Sequence, residues 1–211
     1  MTRLWVEFLA FFVGAPLAMA VLLPPSALFP VLFFFTAVGL ALLHRTPGFR
    51  WSEVWDGAGR IGWGFVGAFT LLTVATAWAV VQATAPEQMG LLLRLNPSLM
   101  LAIALLYPLL SALPQEIVFR PLFFRRYGAL LPSGTWAPVV LNAAIFSFAH
   151  LMYWSWIVAA MTFSGGLAFA WAYHVRRNFP EAVLLHSLAG IVVFAMGLGA
   201  FFYSGNIARP F

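Results

Sequence analysis

The sequence predicts an all-α protein, a polytopic bundle of about seven membrane-spanning helices. Three observations lead there. Of its 211 residues, 63% are hydrophobic and 8% charged, against about 25% charged in an ordinary soluble domain. Apolar runs recur, several near the roughly 20 residues a helix needs to cross a bilayer. Between them stand short breaks rich in proline, glycine and arginine, such as "LLPPSALFP" and "RRYGALLPSG". The first run is expected to be a membrane helix and not a cleaved leader, because no soluble mature chain follows it. One compact transmembrane domain is expected over residues 1–211.

Taken in order, hydropathy places the spans at about 5–23, 28–43, 61–82, 99–119, 136–152, 155–173 and 182–203. The first and fifth end in tight connections, which predicts helical hairpins there. The third follows the longest arginine-bearing break, where Trp51 and Trp55 suit headgroup level. The fourth contains Pro108 and Pro114, which should bend it just before its charged residues. Glycines inside the spans favour close helix packing.

All eleven basic residues are arginines, and they are unevenly shared. With the N-terminus on side one, that side collects Arg3, Arg45, Arg50, Arg60, Arg120, Arg125, Arg126, Arg176 and Arg177. Side two receives Arg94 and Arg209. The positive-inside rule then predicts a cytoplasmic N-terminus, an odd number of spans and, in a bacterium, residence in the inner membrane. The net charge of +5 is spread over short breaks and gives no nucleic-acid patch. The absence of cysteine excludes disulfides, thiolate metal sites and a cysteine nucleophile.

An ionised side chain at bilayer depth costs about 2.5–3.5 kcal/mol on insertion scales, so such residues carry information. Glu53, Asp56, Glu87 and Glu181 read as loop residues and Glu7 as near an end; Glu116 alone reads as deep. Glu116 and Arg120, at i and i+4, share a helical face and can pair. His150 and His186 lie within the fifth and seventh spans. Each histidine alone could simply bond across a helix interface, and the pair could be structural. Counted at about 1.5 Å per residue, Glu116 and His186 reach similar depth from side one. His150 fits that depth more loosely. A shared cavity for the three helices is the economical reading.

The motifs then resemble those of the CAAX-protease and bacteriocin-processing (Abi) family of glutamate-type intramembrane endopeptidases. That family carries Glu-Glu-x-x-x-Arg, Phe-x-x-x-His and His-x-x-x-Asn/Asp on successive helices. This chain offers "QEIVFR" at 115–120, "FSFAH" at 146–150 and "HSLAG" at 186–190, in a core of about 99–203. The resemblance implies a catalytic set of Gln115, Glu116, Arg120, His150 and His186, with Phe146 beside them. It implies as substrate the C-terminal tail of a membrane-inserted or lipidated protein.

Two positions depart from the pattern. Gln115 stands where the first glutamate, the family's water-activating base, is expected, and Gly190 stands for the closing Asn or Asp. A carboxamide keeps the shape of a carboxylate but accepts no proton. Successive helical residues point about 100° apart, so Glu116 should face Arg120 and leave the catalytic seat to Gln115. A disabled enzyme, a variant chemistry and a protein that binds tails without cutting them all fit this substitution. Two histidines and a carboxylate also form a zinc-type set, in which the carboxylate would be Glu116. A rival reading from another class is a b-type haem held by His150 and His186 for electron transfer. A weaker rival is a serine protease built on Ser164 in "FSGG".

Overall fold

The computed structural model describes residues 1–207, 209 and 210. Among them the chain forms seven helices long and apolar enough to cross a membrane: α1 Thr2–Val21, α2 Pro25–His44, α3 Trp63–Thr84, α4 Pro97–Arg126, α5 Trp136–Tyr153, α6 Trp156–His174 and α7 Phe179–Met196. No strand occurs among the described residues. Leu71, Leu72, Trp78, Leu101 and Leu105 lie well exposed on outward faces. In water such a surface would be untenable, whereas lipid chains solvate it. The molecule is an integral membrane protein.

All seven expected spans are present, and two have different ends. The fourth runs on to Arg126 instead of stopping near 119. Three prolines lie in its path, and the chain absorbs them with wide π-type turns over Pro108–Ala112 and Val118–Arg126. A proline removes one backbone donor and crowds the preceding turn, and widening the helix relieves that crowding without breaking it. Arg120 therefore lies inside a helix and is fully buried. It does not belong to the side-one arginine surface on which it was counted, and eight arginines remain there against two. The seventh span begins at Phe179 and stops at Met196, because Gly197 turns left-handed at φ 104°.

α5 and α6 form a tightly packed hairpin, α7 packs between α6 and α3, and α2 packs along α4. The core beneath them is aromatic. Phe8 and Phe12 of α1 meet Phe123 of α4 and Tyr127 at ring separations of 5.3–5.8 Å. Offset and edge-on contacts of this kind add about 0.5–1.5 kcal/mol per pair beyond burial.

Ion pairs fasten the side-one ends of the helices. Glu7 of α1 accepts from Arg126 of α4 at 2.5 and 2.8 Å and from Arg3 at 3.0 Å. Glu53 in the loop before α3 pairs with Arg125 at 3.0 Å. Glu181, expected in a loop, is instead fully buried in the first turn of α7. Its carboxylate meets Arg176 at 2.6 Å and the Gly62 N–H at 2.8 Å, tying α7 to the start of α3.

Candidate active site

The site is assembled from repeated four-residue steps, which put side chains on one face of a helix. Tyr107, Ser111 and Gln115 form such a row on α4 and line a cavity of about 950 Å³. Phe146 and His150 of α5 line it too, as do His186 and Gly190 of α7. Its remaining wall comes largely from apolar side chains of α2, α3 and α6, among them Phe35, Phe69 and Phe169. Gln115 donates through Nε2 to Ser111 Oγ at 2.9 Å, so its amide is held at the cavity edge.

The next residue points elsewhere. Glu116 is fully buried and does not line the cavity. Arg120, also without exposed surface, donates to it from Nε at 2.8 Å and from Nη2 at 3.2 Å. The guanidinium also donates from Nη1 to Asn142 Oδ1. Asn142 in turn donates its amide to the Phe119 carbonyl at 2.7 Å, inside the wide-turned part of α4. Beneath the guanidinium lie the rings of Phe146 and Phe169, at 5.2 and 5.8 Å. An unpaired ion here would be very costly, and this network spends the polar atoms of both partners on each other.

His186 connects the buried pair to the cavity. Its Nδ1 lies 2.9 Å from Glu116 Oε1, and its Nε2 lies 3.2 Å from the Tyr107 hydroxyl. An ionised carboxylate only accepts, so Nδ1 carries the proton and donates; in the neutral ring Nε2 then accepts the Tyr107 O–H. Phe169 stacks on the imidazole at 5.0 Å with an interplanar angle of 9°. A polar chain thus runs Arg120–Glu116–His186–Tyr107 through an apolar bundle.

His150 behaves differently. Its Nδ1 lies 2.8 Å from the Phe146 carbonyl, which only accepts, so Nδ1 carries the hydrogen. Nε2 is then the acceptor nitrogen of a ring that lines the cavity. His150 also borders a second recess of about 450 Å³ near the end of α5, beside Ser147 and Trp156.

The structure therefore brings Gln115, His150 and His186 around one cavity and sets Glu116 and Arg120 behind it. Tyr107, Ser111 and Asn142 were missed in the sequence. Their signal was the same spacing already used elsewhere: Tyr107 and Ser111 precede Gln115 by eight and four residues, and Asn142 precedes Phe146 by four.

The zinc and haem readings meet a common obstacle, since both nitrogens of His186 are engaged by protein partners. Among the described residues no group of three or more His, Cys, Asp or Glu converges as a ligand set. Both Glu116 oxygens are also spent. The residues do not fit a resident metal, and a haem between the histidines would displace Phe146, whose ring lies 4.8 Å from His150 and 5.4 Å from His186. Ser164 donates to the Ala160 carbonyl of its own helix at 2.9 Å, so its hydroxyl proton is given to backbone and not to the base that the serine-protease reading requires.

An apolar cavity within a membrane bundle, edged by an amide, two imidazoles and a phenol, defines the class: a helical membrane protein with a polar-edged intramembrane cavity. Residues 97–192 match the family model for type II CAAX prenyl endopeptidase Rce1-like proteins, from the start of α4 to most of α7. The resemblance drawn from the three motifs is borne out over that segment, a little under half of the chain. No curated protein and no solved structure matches the chain.

Proposed function

We propose that this protein is an intramembrane endopeptidase of the CAAX type, acting on the C-terminal tail region of a membrane-inserted or lipidated protein. The observation that carries the reading is the cavity itself: large, apolar and edged by Gln115, His150 and His186. A lipidated or transmembrane tail suits its aromatic wall, and the polar edge suits one peptide bond. The arginine-rich side-one surface supports a cytoplasmic N-terminus and residence in a bacterial inner membrane.

Hydrolysis requires a base for the attacking water. Gln115 accepts no proton, and Glu116 is committed to Arg120 and His186. The remaining base at the cavity is the Nε2 lone pair of His150. Water would attack the scissile carbonyl carbon while its proton passes to that nitrogen, and the same proton would then go to the leaving amine. Gln115 would orient the water and contribute no base, so turnover is slow.

The test compares this chain with Gln115→Glu in the same liposomes, using a panel of lipidated and transmembrane-tail peptides read by mass spectrometry. Gln115→Glu should cleave faster by about 10²–10⁴, the usual contribution of a positioned base. His150→Gln should abolish cleavage by both. Equal rates from the parent and Gln115→Glu would sink the assignment of the catalytic seat. A second reading, a tail-binding protein without turnover, is favoured by the hydrogen bond that holds the Gln115 amide to Ser111. It predicts peptide binding by the parent chain with cleavage only by Gln115→Glu.

A further inference from the structure

Gly190 stands where the third motif closes on a polar side chain, one helical turn beyond His186. The space such a side chain needs is already filled from another helix. A Cβ built at Gly190 would lie 2.1 Å from Tyr107 Cε1, inside the ring, so no side chain fits there while Tyr107 keeps its place. The same Cβ would lie 2.6 Å from the Tyr107 hydroxyl oxygen. In an asparagine the amide oxygen stands about 2.4 Å from its own Cβ, from standard bond lengths. The phenolic oxygen therefore stands about as far from that Cβ as the polar atom of an asparagine at 190 would.

Two further contacts show that the hydroxyl is held in place and the ring is packed. Tyr107 packs edge-on against Phe194, at 6.3 Å, one turn beyond Gly190. Its hydroxyl meets His186 Nε2 at 3.2 Å, and both residues line the cavity. The exchange crosses helices, with the ring supplied by α4 and the vacancy by α7. Neither member makes sense alone, since glycine without the ring leaves a hole, and the ring with any larger residue at 190 collides.

We infer that Tyr107 and Gly190 are a complementary pair, in which Tyr107 supplies across the helix interface the polar group that position 190 lacks. Tyr107 is a positioning residue: its O–H saturates Nε2 of His186 and so fixes the tautomer and orientation of that ring beside the reacting bond. This rests on the reading of the cavity as a peptidase site, and its test is chosen to separate the two.

Histidine-labelled protein in liposomes would be compared by nitrogen NMR with Tyr107→Phe, with Tyr107→Ala and with the double variant Tyr107→Ala/Gly190→Asn. The His186 signals are assigned by their loss in His186→Gln. Tyr107→Phe keeps the ring packing and removes only the hydroxyl, so Nε2 of His186 should move downfield as its hydrogen bond is lost. The other three histidines should hold still. Tyr107→Ala should show the same shift, and adding Gly190→Asn should restore the parental position. An unmoved His186 in Tyr107→Phe overturns the proposal. In the Gln115→Glu background, Tyr107→Phe should lower kcat about tenfold with KM retained, the scale of one hydrogen bond. Undiminished kcat would overturn the positioning role. If no variant cleaves any peptide, the peptidase reading fails, while the nitrogen shift still decides the Tyr107–Gly190 pair.

Discussion

Two regions of this protein use the same chemistry, an arginine on a carboxylate, and use it for different ends. At the side-one ends of the helices, Arg126 clamps Glu7 and Arg125 clamps Glu53 with one or both partners reaching solvent. Within the bundle, Arg120 and Glu116 have no exposed surface at all. Water can solvate the rim residues if their partners are lost, so those pairs act as modest fasteners between helices. The interior pair has no such reserve. Its remaining hydrogen-bonding capacity had to be met by protein, and the groups that meet it, Asn142 and His186, extend the pair into a network that ends at the cavity. Burial turns a clamp into the foundation of a site.

The comparison breaks most sharply at Glu116. Glu116→Ala leaves the Arg120 charge buried with one acceptor, Asn142, and frees His186 Nδ1. Removing one partner of a buried pair costs about 3–5 kcal/mol. Thermal unfolding in detergent should show a large drop in midpoint, with loss of the His186 nitrogen signature as the ring comes adrift. A midpoint within a degree or two of the parent would mean that the interior pair is no more than another rim clamp.

Asn142 sharpens the same point at lower magnitude. It satisfies Arg120 through its oxygen and the Phe119 carbonyl through its nitrogen. Asn142→Leu keeps the branched shape and strips both bonds, leaving two buried groups bare at about 1–3 kcal/mol each. The loss should be visible in unfolding midpoint, and Asn142→Asp should not restore it, since a second carboxylate cannot donate to the carbonyl. Stability equal to the parent would show that Arg120 needs Glu116 alone.

How much of this was legible in the sequence follows from what sequence periodicity records. The seven spans were readable because a bilayer imposes length and apolarity on every one of them. The pairing of Glu116 with Arg120, and the turning of Gln115 to a different face, followed from 100° steps along one helix. What escaped lies between helices. That Glu116 Oε1 meets His186 Nδ1 depends on the packing of α4 against α7, which no single helix encodes. The extension of α4 through Pro121 escaped for another reason: proline reads as a stop in a polar context, yet a bundle that denies the backbone any water favours a widened helix over a broken one. Glu181 was read as a loop acid because it follows "RRNFP". Asn178 caps the helix there, accepting the Glu181 N–H at 3.0 Å, and draws the carboxylate into the bundle's end.

The smallest effect belongs to the outermost pair. Arg3 and Glu7 repeat the i, i+4 spacing of Glu116 and Arg120 with the order of charges reversed, and Arg3 keeps 87% of its side-chain surface in solvent. Glu7 loses little without it, because Arg126 donates to Oε2 from two nitrogens. Arg3→Ala should therefore cost about 0–1 kcal/mol, falling toward zero as salt is raised. The same spacing, then, should span nearly the whole range of ion-pair energies within one protein. Measured by unfolding midpoint at low and high salt, Arg3→Ala should converge on the parent while Glu116→Ala stays far below it. If added salt narrowed both gaps equally, water would be reaching the interior pair, and the network from Arg120 to Tyr107 would be an open aqueous cleft in place of a sealed support.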